Sequence, residues 1–354
     1  MANTREILNK KGYELTGREK TILRKIVHLY ILKANPVGSR VLSKFLKDEI
    51  DLSPATIRNV MSDLEEMEYI RHPHTSAGRV PTDKGYRFYV DALEQIELLN
   101  IEKLANINLD FKNTEIESIL KDASKLLGML SKYLGIVQIP LITELIVEKI
   151  EVVRVTSSRI LVVIALDSNI VRTVTLETNF NLDDNRIKDV ISYINEKISG
   201  KPLKYLRDNF KDMIVDLDIK DTPLVRLFTD SLDKLFADYT KERVLIAGTK
   251  NLFEYPEFED LSKIRSVIEL IENEDIIIHI LDKYKPSNIS DVLIGQEMQN
   301  DLLEDYSLVK SSYKIGTAKG SVGLIGPKRM DYAKMISVVR SVSKILTQKK
   351  SEHK

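Results

Sequence analysis

A chain of 354 residues with no net formal charge and no cysteine is long enough for two or three domains with sizeable cores. The missing cysteine excludes disulfides, thiolate metal sites and cysteine nucleophiles. Charge is unevenly spread: residues 1–90 hold 16 Lys and Arg against 11 Asp and Glu, so a modestly basic head precedes an acidic remainder. Residues 1–14 lack the apolar core of a signal peptide, and the longest apolar run, residues 160–166, is too short to span a bilayer. A soluble cytoplasmic protein is expected.

The first element signal is Thr16-Gly17-Arg18-Glu19, a capping box with the acidic residue three positions after the cap. Ile22, Leu23, Ile26, Val27 and Tyr30 then mark one face of a helix. Asn35-Pro36-Val37-Gly38 is a turn, and Ser39 can cap a short helix carrying Val41, Leu42, Phe45 and Leu46. Ser53 is a good N-cap and Pro54 suits the first helical position. Ile57, Val60, Met61, Leu64 and Met67 follow at helical spacing. The other side of that helix shows Ala55, Thr56, Arg58, Asn59 and Ser62, which are small or hydrogen-bonding types suited to base edges in a major groove. Two short helices on a short connection predict a helix-turn-helix with the second as reader.

Tyr69-Ile70-Arg71 then reads as a strand, residues 72–77 are polar, and Gly78-Arg79-Val80-Pro81 allows a tight return. This hairpin is a wing, and it favours DNA binding over an ordinary three-helix domain. Thr56, Arg58, Asn59 and Ser62 are the candidates for base contact. Arg40, Lys44, Ser76 and Arg79 are the candidates for phosphate or minor-groove contact.

Thr82-Asp83 can cap a helix running to about Leu104, with Tyr86, Tyr89, Val90, Leu93, Ile96 and Leu99 on one face, packed within one chain or as a two-chain seam. A linker is expected at 106–111 and a strong amphipathic helix at 116–130. Val- and Ile-rich stretches at 150–156, 160–166 and 171–177 predict a three-strand meander. Helices are expected at 183–198, 205–213, 224–239 and 261–271, with strands at 244–247, 276–281 and 292–295 and loop at 250–257. Residues 308–314 and 321–326 look like paired strands, and 330–347 like a closing helix. The fold class is therefore α+β and multidomain: a winged head, then an α+β domain carrying a mostly helical insertion, with the middle and late strands in one sheet.

The search for chemistry is negative. Gly316, Gly320, Gly323 and Gly326 lack the Lys-Ser/Thr that a phosphate loop needs and read as hairpin turns and close strand packing. His72 and His74 have no third ligand nearby, and acidic Glu272, Glu274 and Asp275 read as solvated helix-end charge. No catalytic residue, metal or cofactor is predicted, and the chain is not expected to be an enzyme.

Thr16 to Glu19, Pro36 to Ser39, Ser53 to Asn59, Thr75 to Thr82 and the late run Ile325-Gly326-Pro327-Lys328-Arg329-Met330-Asp331-Tyr332 together resemble the HrcA family of heat-inducible transcription repressors. The pattern departs at Met298, after Gly295-Gln296-Glu297, where Asn is expected. The resemblance implies a winged helix-turn-helix with its linker helix at 1–104, a GAF-like domain at 105–178 and 256–354, and a dimerising insertion at 179–255. It implies a homodimer repressing chaperone operons through an inverted-repeat, CIRCE-type operator, kept active by the chaperonin GroEL. The alternative is a metabolite-responsive DNA-binding regulator whose GAF-like domain holds a small effector.

Overall fold

Thr16 starts the first helix by the reciprocal bonds of a capping box: its backbone N–H donates to Glu19 Oε2 at 2.7 Å, and Glu19 N donates to Thr16 Oγ1 at 3.3 Å. The computed structural model describes residues 14–73, 78–93, 116–167, 170–179, 183–214, 222–237, 243–256, 260–283 and 291–348. The head comprises α1 (Gly17–Lys33), α2 (Ser39–Leu46), α3 (Pro54–Glu66), β1 (Ile70–Arg71), β2 (Val80–Pro81) and α4 (Asp83–Asp91). Ile22, Leu23, Ile26, Leu42, Leu46, Ile57 and Leu64 are fully buried among them, as their spacing requires. Helix α4 ends at Asp91 with Ala92 as its cap, earlier than expected. The predicted continuation through Ile96 and Leu99, and the linker at 106–111, lie outside the described residues.

The body begins with α5 (Ile116–Ser131) and β3 (Leu134–Gln138). Next come β4 (Val147–Thr156), β5 (Arg159–Leu166), β6 (Ile170–Glu177), α6 (Asp184–Ile198), α7 (Leu203–Met213), α8 (Pro223–Asp230) and α9 (Leu232–Phe236). The chain then returns through β7 (Val244–Ala247), α10 (Thr249–Leu252), α11 (Leu261–Glu272), α12 (Glu274–Lys283), β8 (Asp291–Ile294), β9 (Tyr306–Ile315), β10 (Ala318–Pro327) and α13 (Tyr332–Gln348). The GAF-like body is built on a five-stranded antiparallel sheet in the order β7-β3-β10-β9-β8, with α5 and α13 packed against it.

The glycines of β10 serve packing. A Cβ at Gly320 would sit 2.5 Å from a ring carbon of Tyr313. That ring crosses the strand so that its hydroxyl can donate to Gln138 O at 2.7 Å.

The meander does not share this sheet, contrary to the sequence-based expectation. β4-β5-β6 form a separate antiparallel sheet. Ile150, Ile160, Val162, Ile164 and Leu176 pack with Ile194, Phe210, Phe228 and Phe236 in a core of their own, whereas head and body share another. Strand patterning tells which face is buried but not against what, so the strands were legible and their partner was not. Helix α6 also covers part of the β4 edge. Asn195 Oδ1 accepts from Ile150 N at 2.7 Å and Asn195 Nδ2 donates to Ile150 O at 2.9 Å, while Val147 N donates to Lys201 O.

A second correction concerns 276–281, expected as a strand and found inside α12. Its run of isoleucines has strand propensity, but Glu274 and Asp275 occupy a first helical turn, where the helix dipole favours acid. Ile277 and Leu281, four apart, are both buried.

Candidate nucleic-acid interface

Helix α3 starts as predicted. Ser53 Oγ accepts from Thr56 N at 3.1 Å and lies 2.9 Å from Thr56 Oγ1. Its approach from α2 is held by Ser43, whose hydroxyl donates to Leu52 O at 2.8 Å. With Ile57, Val60, Met61 and Leu64 turned into the core, the opposite surface presents Arg58, Asn59 and Ser62 to solvent. None of these three side chains has a hydrogen-bond or ion-pair partner among the described residues, and the same is true of exposed Arg40 and Lys44 on α2. Thr56 is half-buried and its hydroxyl is engaged at the cap, so it belongs more to helix initiation than to the open face.

The wing is real and anchored. β1 and β2 pair antiparallel, Ile70 with Pro81 and Arg71 with Val80. A further bridge joins Val37 to Arg79, with N–H···O bonds of 2.9 and 3.0 Å in the two directions.

Arg79 is placed differently from the open cations of α2. Its guanidinium does not extend to solvent; Nη2 lies 2.9 Å from Glu65 Oε2, and its side chain is 17% exposed. The other Glu65 oxygen takes His72, from its backbone N–H at 3.1 Å and from ring Nδ1 at 2.5 Å. Glu65, near the end of α3, therefore clamps both arms of the wing. No pattern in the sequence couples Glu65 to positions 72 and 79, and this residue was missed. Ser76 and His74 lie outside the described residues. Among the described residues no three His, Asp or Glu side chains gather to hold a metal ion.

An effector site would need a cavity in the body. A cleft of about 440 Å³ lies beside α12, lined by Asn273, Asp275, Ile276, His279, Met298 and Asn300 among others. It gathers one carboxylate, one imidazole, the carboxamides of Asn273, Gln299 and Asn300 and apolar groups, with no cluster of like charge for a charged effector. Met298, the departure noted above, is buried there as an apolar side chain.

A reading helix with an unpartnered polar face, backed by two helices and flanked by an antiparallel wing, defines a winged helix-turn-helix DNA-binding regulator. The comparisons agree and go further. Residues 14–94 match the family described as winged helix-turn-helix transcription repressor, HrcA DNA-binding, and residues 117–336 match the HrcA protein C-terminal domain. The chain belongs to the HrcA family of heat-inducible transcription repressors, which are regulators and not enzymes.

It is 36% identical over 340 residues to the heat-inducible transcription repressor HrcA of Chlorobium phaeobacteroides strain BS1, covering 92% of this chain and 96% of that one. The Natranaerobius thermophilus repressor is 35% identical, covering 94% and 96%. The crystal structure of a hypothetical protein, 25% identical, superposes with a TM-score of 0.59 over 95% of this chain and 98% of that one. Among the described residues no helix is long and apolar enough to cross a membrane.

Proposed function

We propose that this repressor binds an inverted-repeat, CIRCE-type operator of chaperone operons as a homodimer in the cytoplasm and is kept active by the chaperonin GroEL. Arg58, Asn59 and Ser62 read base edges, with Thr56 at the helix start, and Arg40 and Lys44 engage phosphate. Arg79 holds the wing rather than a phosphate. The observation that carries this reading is the α3 face, whose polar side chains have no partner among the described residues.

An inverted repeat calls for a two-fold protein. The sheet β4-β5-β6 supplies a surface for one. Its inner face is buried, yet its outer face carries Val153, Val155 and Val171 at 50, 57 and 59% exposure, beside half-buried Leu161, Val163 and Ala165. Lys149, Glu151, Thr173 and Thr175 lie among them on the same face, so the face is mixed, and its exposed valines are what favours association over solvation. On this reading the dimerising insertion spans about residues 142–237, meander included, and not 179–255. The link to the chaperonin rests on kinship with heat-inducible repressors.

The test is a gel-shift titration with palindromic and scrambled duplexes, with and without chaperonin, at two salt concentrations. Preference for the palindrome, strengthened by chaperonin, is expected. Equal binding to both duplexes with chaperonin present refutes the reading.

A further inference from the structure

Helix α4 begins two residues after Pro81, so the wing runs directly into the helix that docks the head on the body. Two ion pairs cross that contact. The Arg87 guanidinium lies along Glu297, Nε to Oε1 at 2.8 Å and Nη2 to Oε2, and it also donates to Val292 O. Asp83 Oδ1 pairs with Lys328 Nζ, and its Oδ2 accepts from Gln296 N at 3.2 Å. Glu297 is itself oriented by Ile294 N, 2.8 Å from Oε2. Asp83 and Arg87 are four residues apart, hence on one face of α4.

Within the same contact the rings of Tyr86 and Tyr332 meet with centroids 6.2 Å apart. The Tyr332 hydroxyl donates to the carbonyl of Lys328 at 2.6 Å. Gly295 lies under the pairs with φ +52°. A Cβ there would stand 2.2 Å from Asp83 Oδ2 and 2.6 Å from Lys328 Nζ. The close approach of head and body therefore requires glycine at that position.

These pairs are about a quarter to a third exposed, so their net worth to folding is small. Their directionality is another matter. An apolar ring contact tolerates sliding and rotation, whereas a two-bond guanidinium–carboxylate fork and a second pair one turn away fix both the roll and the tilt of α4. The reading helix is rigid with α4 through the shared core of the head. Its attitude toward the body, and so toward a partner copy, is set at this contact.

Changing an operator spacer by two base pairs turns one half-site by about 70° and moves it about 7 Å relative to the other. A pinned head cannot follow that change; a loosened one can.

We propose that Asp83, Arg87, Glu297 and Lys328 are positioning residues for operator spacing: without touching DNA, they determine which separation of half-sites the repressor accepts. This rests on the reading of a dimer on an inverted repeat.

The test uses the full chain. Random-sequence duplexes selected on the wild type supply the best palindrome. From it are made spacers two base pairs longer and shorter, and a single half-site. Wild type is expected to lose about a hundredfold or more on the altered spacers, because the two heads no longer engage together. Arg87→Met should lose about tenfold or less there, with single-half-site affinity and melting temperature kept. Gly295→Ala should lose as little on the altered spacers and keep single-half-site affinity, but melt lower, because its Cβ meets Asp83 and its φ is strained. Arg87→Lys, which retains charge without the fork, should fall between.

Variants that discriminate spacers as sharply as wild type overturn the proposal. So do variants whose single-half-site affinity falls along with their selectivity, which would mark a merely structural contact. A wild type indifferent to spacing defeats the two-fold reading and this inference with it; the wild-type arm alone reports that case.

Discussion

Arg79→Met separates the two roles open to this arginine. The guanidinium sits 2.9 Å from Glu65 with side-chain exposures of 17 and 28%. A charge-assisted hydrogen bond contributes about 1.5–3 kcal/mol, and partial exposure reduces that to about 1–2 kcal/mol. Arg79 Nε is buried with no partner, so removing it relieves a cost that offsets part of the loss. The net effect is about 1 kcal/mol, confined to the wing base, which raises the population of a detached wing about fivefold. Amide exchange reads this directly at Val37 and Arg79, whose N–H groups are held by each other's carbonyls. Both should exchange about fivefold faster, with global melting almost unchanged. Affinity for DNA should fall while the slope of log K against log salt stays constant, since no phosphate contact is lost. A slope reduced by about 0.9 with unaltered exchange would mean that the guanidinium serves a phosphate after all.

Arg58→Ala should cost about 1–3 kcal/mol on the selected palindrome and much less on random DNA, measured by competition titration; equal losses on both would remove Arg58 from base reading. Lys44→Ala should weaken binding to every duplex and reduce the salt slope by about one, and an unchanged slope would refute phosphate contact. Val163→Asp places a charge in the middle of the exposed sheet face and should convert dimer to monomer in sedimentation, a change of about 3–5 kcal/mol; a dimer of unchanged affinity would move the interface elsewhere. Burial pushes the phenols of Tyr306, Tyr313 and Tyr332 far above their ordinary value. The unfolded chain therefore releases these protons first, and stability should decline as pH rises past about 10. In an ultraviolet phenolate titration the three should ionise only with unfolding. All 14 tyrosines titrating together with circular dichroism intact would contradict their burial.

The local grammar of the head was readable because each signal acts over a few residues. Thr16 with Glu19, Ser53 with Pro54, and Gly78 before Val80 state their geometry within one turn of chain. What escaped was everything decided at long range. Arg87 and Glu297 are 210 residues apart, and nothing in either neighbourhood names the other. Glu65 looks like any acidic residue on a helix until the wing folds back on it. The runs at 150–177 declare strands with a buried face, but which helices cover that face depends on the course of the following sixty residues. The isoleucines after Glu274 show propensity losing to a tertiary site that wants a helix.

A sheet of three strands has two rims, and each rim offers bare peptide groups to any passing chain. At β4 the carboxamide of Asn195 occupies the slot a visiting strand would need, with the backbone of Lys201 taking the next. That stretch of rim is closed to zipper-like growth, so copies meeting there are steered to stack broadside. Such steering separates a finite pair from an endless fibre.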